Sequence, residues 1–424
     1  MILSTNTSVL PTPTILSYSS STLTPSKRGW VNQPDGRGTF DIIWSCLATL
    51  LICVWVMLHL NVPAKEDTTW TLFLRKIRWL GLTILAPELL MLFASGQWAS
   101  AKRSVTEMGE LGYGKWSLVH AFYADSGGFL LCARDTIPFP VTAKQIYYLV
   151  HKKYTQIPAI TREEIWDKSK ADKFAKTIAG LQAGWLVAQV IARALQQLPI
   201  TLLELSTVAL ITCTGATFFF WFHKPLNVDT PTTLYLDLSM AEVLVLAGDE
   251  ASTPFRDTPL DFVEPQLYTS SQMPLHRWWG VQQRPLPRIP NDRDSRLHNF
   301  QIVTIVALST ASFSLIHLAA WNFEFPTQIE QILWRWTCIS MDVVLGIGCS
   351  VEAGSIIKDS FTTTGLTNLN GYKLKWPTNL LFFIPGAIYV SARLIVIAEI
   401  LISLRLLPSG CFQNVQWMNL FPHF

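Results

Sequence analysis

The chain has 424 residues, of which 50% are hydrophobic and 15% charged, with a formal net charge of +3 and a mean hydropathy of +0.29. So few charges around uninterrupted apolar runs exclude an ordinary soluble enzyme and predict a polytopic membrane protein, while the small, dispersed charge excludes a nucleic-acid partner. The seven cysteines form no close CxxC pair, so they read as small buried hydrophobes rather than a disulfide framework or a zinc site.

Residues 1–39 are rich in Ser, Thr and Pro and lack the basic start and apolar core of a signal peptide, so a disordered tail is expected. Asn6-Thr7-Ser8 fits the N-glycosylation sequon, which matters only if the tail is lumenal. Residues 40–424 read as a single transmembrane helical domain. Its first span covers about 40–60, with Asp41 in the first turn and His59 near the last, where each complements the helix dipole. The second, about 77–98, carries Pro87-Glu88 at its middle. Proline removes an amide donor and loosens the helix, so Glu88 lies beside a kink with a freed carbonyl, a site signal or a helix-to-helix hydrogen bond.

The segment 99–176 is polar and basic except for 117–133, which is too short and too broken by Gly127-Gly128 to be a firm span and suits a re-entrant or interfacial piece. It holds His120 and Asp125 in an HxxxxD spacing, a weak acyltransferase signature. In the third span, about 177–198, Gln182, Gln189, Arg193 and Gln196 fall on one helical stripe that must line a cavity or a partner helix. Pro199 turns the chain into the fourth span, about 200–222, where Glu204 lies at the depth of Arg193; the two form a structural ion pair or belong to a site.

A proline-rich loop to about 298 precedes a fifth span at 300–321, ending near His317, and a sixth at 332–350 with Asp342 at its centre. The seventh, 380–407, carries Arg393 and Glu399 well inside an apolar run. An ionisable group at that depth costs roughly 2.5–3.5 kcal/mol on insertion scales. Six helical positions separate the two by about 120°, so each needs a partner elsewhere.

The expected fold class is therefore all-α: a bundle of seven spans, or eight if 117–133 crosses, with the lipid bilayer as its surroundings. Lys and Arg crowd the loops at about 99–176, 223–299 and 351–378, which makes these cytosolic, the amino terminus cytosolic and the carboxyl terminus lumenal. One connection disagrees, because Lys65, Arg75 and Lys76 would then be lumenal.

There is no HExxH, P-loop, GxGxxG, DDxxD or DxDD, and no Cys/His cluster with metal spacing, so no metal or cofactor is expected. That leaves proton chemistry by isolated carboxyl groups, which keep a proton near neutral pH when desolvated. Glu399, Glu88, Glu204 and Asp342 are the candidates, with Arg393 positioning them; Gln182, Gln189, Arg193, His120 and Tyr389 are candidate substrate-binding residues.

The phrases RGWVNQPDGRGTFDIIWSCLATLLICVWVMLHLNVP, HAFYADSGGF, HKPLNVDTP and VSARLIVIAEILISLRLLP with WMNLFPHF resemble a large fungal family of multi-span membrane proteins. Some of its members look like membrane-bound terpene cyclases of meroterpenoid pathways, of the ascofuranone and macrophorin types. The resemblance implies a lipophilic substrate, a farnesylated phenol or quinone or its terminal epoxide, cyclised by acid-initiated carbocation chemistry in secondary metabolism, within the endoplasmic reticulum membrane. A carrier of a small solute and a membrane acyltransferase using His120 are the competing expectations.

Overall fold

The computed structural model describes residues 27–32, 36–169, 173–252, 254–255, 257–263, 284–292, 300–362 and 376–420. Six helices are long and apolar enough to cross a membrane: α1 (Thr39–Met57), α7 (Lys173–Leu195), α8 (Leu202–Phe220), α10 (Phe300–Leu318), α11 (Gln328–Thr362) and α12 (Trp376–Ser403). Apolar side chains such as Trp44, Leu181, Leu308, Trp336 and Leu401 stand exposed on their outer faces. Such faces suit hydrocarbon rather than water.

The predicted second span is two helices. α2 (Thr69–Leu85) and α3 (Pro87–Glu110) meet at Ala86 with a bend of 111°. Pro87 sits at the first position of α3, where its missing N–H is no loss and its fixed φ starts a new helix. Arg75 of α2 donates to the Asn291 side chain and Gln97 of α3 to the Asn291 carbonyl, so both arms return to one level of the molecule. The pair is a re-entrant wedge, which corrects the expected crossing.

A second correction concerns parity. The two-residue strand β1 (Lys27–Arg28) pairs antiparallel with β5 (Leu407–Pro408), so the described chain ends lie on one face of the bundle. Seven crossings would separate them; six bring them together. On this terminal face lie the α7–α8 turn, the α10–α11 connection and the end of α12. The opposite, loop face carries everything else, including the first connection with Lys65, so its basic residues no longer dissent from the other loops. The pairing also ties down residues 27–28, inside the tail expected to be disordered to 39; Asn6 lies outside the described residues.

The fold is not purely helical either. On the loop face α4 (Leu118–Asp125), α5 (Ala143–His151), α6 (Arg162–Lys168) and α9 (Met240–Ala247) pack with a three-stranded mixed sheet. Its central strand β2 (Phe129–Cys132) runs antiparallel to β3 (Phe139–Val141) and parallel to β4 (Thr232–Tyr235). The segment 117–133 is therefore α4 and β2, neither spanning nor re-entrant. Gly127 turns the chain between them at φ +85°, and a Cβ on Gly128 would meet the Tyr123 ring at 2.5 Å. Only glycine fits both demands.

Polar residues clamp this lobe to the bundle. Lys224, 1% exposed, donates to Asn61 Oδ1 at 2.8 Å and Gln97 Oε1 at 2.9 Å, and lies over the Trp221 ring. Burial, followed by repulsion from Arg75, pushes its ammonium down to about 7. His59 donates from Nδ1 to Met57 O and accepts from Lys176 at Nε2. Burial and Lys176 hold it near 3, so the ring is neutral and does not act as the imidazolium expected at the end of α1.

Candidate functional site at the tip of the re-entrant wedge

The end of α2 leaves carbonyls without intrahelical donors, as any helix end does. Arg393 of α12 supplies two: Nε donates to Leu85 O at 3.0 Å and Nη2 to Ile84 O at 2.9 Å. Its guanidinium also stacks over the Phe313 ring, 4.9 Å from the centroid. One turn earlier on α12, Tyr389 donates its hydroxyl to Glu88 Oε2 at 2.6 Å. The freed carbonyls beside Pro87 thus have a partner, and it is the buried arginine that needed one.

His317 extends the group. Its ring lies 4.7 Å from Phe313, its Nδ1 donates to Phe313 O, and Trp334 donates to its carbonyl. Glu88, Tyr389, Arg393, His317 and Phe313 are all at most 9% exposed. Among the described residues Glu88 and Arg393 form no direct ion pair. Glu88 Oε1, Arg393 Nη1, His317 Nε2 and Ser314 Oγ are buried with no hydrogen-bond partner. Each such atom carries an unrepaid desolvation cost of about 1–3 kcal/mol, and three of them, on Glu88, Arg393 and His317, belong to the group just described, which makes it the candidate site for a polar group.

The protonation geometry follows from the hydrogen bonds. Because Oε2 accepts from Tyr389, the proton of a neutral Glu88 resides on Oε1, the oxygen with no partner. That proton is free to be given away.

The other predicted residues disperse. Glu399, six positions and about 9 Å along α12 from Arg393, lies towards the terminal face in the surroundings of the Arg405–Glu330 ion pair; its Oε2 is buried and unpartnered. Asp342 is half-buried on α11, one turn past Cys338, and is not hydrogen-bonded to Glu88, Tyr389 or Arg393. Glu204 caps α8, accepting from Thr201 N at 2.9 Å and Thr201 Oγ1 at 2.8 Å, and its second oxygen takes Arg37 at 2.5 Å. Arg193 therefore does not pair with Glu204. It donates instead to the carbonyls of Pro199, Gly410, Cys411 and Gln413, binding the carboxyl-terminal segment beneath the α7–α8 turn.

Gln182 of the stripe donates to Thr49 on α1, and Gln196 exchanges hydrogen bonds with the Gln416 backbone; Gln189 is half-buried. The stripe faces a partner helix and the chain end. His120 engages Ser117 through Nδ1 and Ile160 O through Nε2, while Asp125 accepts from Ser100 Oγ and Ala143 N. The HxxxxD spacing does not produce a His–Asp pair. Burial lowers the affinity of His120 for a proton.

Sequence reasoning named His317 at the end of the fifth span without giving it a role, and passed over Phe313 and Arg37. Phe313 and His317 stand four apart on α10, as Tyr389 and Arg393 do on α12, so the i,i+4 pairing of polar and aromatic residues inside apolar runs was the available signal.

No curated protein and no solved structure matches the chain. A family model described as a family of unknown function, DUF8562, matches residues 9–252 and 293–424. With nearly its whole length so matched, the chain belongs to the DUF8562 family.

Proposed function

We propose that the protein is a membrane-embedded cyclase of the endoplasmic reticulum that isomerises a lipophilic polyene, a farnesylated phenol or quinone or its terminal epoxide, using Glu88 as general acid. The observation that carries this reading is the pairing of an unpartnered Glu88 Oε1 with an unpartnered Arg393 Nη1 on either side of Tyr389. The epoxide oxygen accepts the proton from Oε1, its C–O bond breaks, and the adjacent alkene closes a ring on the cation. A final carbon gives its proton back to the carboxylate, so the product has the mass of the substrate. Phe313 and Trp334 bring aromatic rings to the site, Phe313 under the Arg393 guanidinium and Trp334 with its ring centroid 6.0 Å from that of His317, and aromatic rings stabilise a cation in apolar surroundings. In this reading Glu399, which belongs to a separate group, is not the acid.

The test is to incubate microsomes from yeast expressing the chain with farnesyl-phenols and their epoxides and to look for a product of unchanged mass. Glu88→Gln abolishes it at equal protein level and Glu399→Gln retains it; the reverse pattern would sink the assignment. One observation favours a second reading, a carrier of a small solute: a helix broken at mid-depth with its ends on a polar centre is how many carriers hold a solute. Uptake of unmodified solute into proteoliposomes, with no isomer formed, would decide for it.

A further inference from the structure

Glu399 has no part in the cyclase reading, yet it is buried, at 5% exposure, one turn before the end of α12. The charges that act on it are Glu330, in the first turn of α11, and Arg405, two residues past α12. Arg405 donates to Glu330 Oε1. Glu330 Oε2 and Glu399 Oε2 are both buried with no hydrogen-bond partner. Two carboxyl groups thus share one guanidinium, and when they are ionised both unpartnered atoms are acceptors. The remaining cations of the terminal face do not make up the deficit. Arg37 pairs with Glu204, Arg193 and Arg335 donate to backbone carbonyls, and Lys27 and Arg28 lie on β1, where Arg28 is exposed. An uncompensated carboxylate out of water is costly, so such groups are paired, coordinate a cation or take up a proton.

We propose that Glu399 and Glu330 bind one monovalent cation, an alkali ion or a protonated amine, between the start of α11 and the end of α12. With Arg405, one further positive charge balances the two carboxylates. A divalent ion would leave a buried excess of charge, and among the described residues no group of three acidic, histidine or cysteine side chains is gathered to hold one. The way in is beside the ion pair: the Arg405 side chain is 55% exposed and that of Glu330 11%, so the place opens on the terminal face. The inference does not rest on the cyclase reading, since the wedge meets α12 at Tyr389 and Arg393.

The experiment follows thermal unfolding of the full chain, purified in an uncharged detergent at neutral pH, while sodium, potassium or methylammonium chloride replaces tetramethylammonium chloride at constant ionic strength. Tetramethylammonium has no N–H and is too large to reach two buried oxygens, so it is the reference. The midpoint rises saturably with at least one of the small cations, and which one acts tells alkali ion from amine. Glu399→Gln raises the half-saturating concentration by about tenfold or more, the worth of one lost charged contact. Arg405→Gln lowers it, because the site then carries a second uncompensated charge. That opposite sign separates binding from a merely weakened fold. Equal midpoints in all the salts, the result if the pair holds only a proton, would overturn the proposal. So would a half-saturating concentration unmoved in either variant, which would place the cation elsewhere.

Discussion

Two of the groups of buried charge in this bundle are built differently. At the terminal face Arg193 has four carbonyl partners and Glu204 has Thr201 and Arg37. At the tip of the wedge Glu88, Arg393 and His317 each keep an atom without a partner. A satisfied charge holds structure, because removing it orphans its neighbours. An unsatisfied one stores a cost that a ligand or an ordered water can recover.

The comparison is broken most directly by exchanging the phenotypes. Glu88→Gln should lower product formation by about 10²–10⁴-fold, the usual worth of a positioned acid, with little change in thermal unfolding of the detergent-solubilised protein. Arg193→Met should do the opposite, costing about 3–5 kcal/mol of stability and destabilising the carboxyl-terminal segment, seen as faster proteolysis after residue 403. Equal stability losses in the two variants would show that both groups are structural.

How far the contrast could be foreseen is instructive. Six of the seven expected spans, all but 77–98, are helices long and apolar enough to cross a membrane, and Glu88, Arg393 and Glu399 were legible as charges inside apolar runs, since both signals are local. Pro87 announced a break but not its 111° angle, which depends on the carbonyl partners that Arg393 supplies from 308 residues away. The count of seven erred by taking 77–98 as a crossing, and the sequence offered no check on it, because β1 and β5 are two residues each and carry no periodicity. The small sheet escaped for the same reason. Arg193 and Glu204 were placed correctly at one depth, but a third residue, Arg37, claimed the carboxylate.

Smaller effects sharpen the picture on the loop face. Gly128→Ala drives a Cβ into the Tyr123 ring and should cost about 1–3 kcal/mol, appearing as local protease sensitivity in the lobe without loss of the wedge. Lys224 gives the smallest effect and a sign. Its folded pKa of about 7 lies below the ordinary lysine value of 10.5, so between those values the unfolded chain binds the extra proton. Stability should rise with pH across that window by up to about 1.4 kcal/mol per unit and be flat below it. Lys224→Met should remove that slope in thermal unfolding measured from pH 7 to 9; an unchanged slope would place the titration elsewhere.

The Arg193 clasp also sets an order of assembly. Its Gly410 acceptor is made 217 residues after it, so during synthesis the α7–α8 hairpin forms with a guanidinium still waiting for most of its carbonyls. The bundle is incomplete until the last segment arrives, and a ribosome that stops before Gly410 releases a chain with an open cationic end.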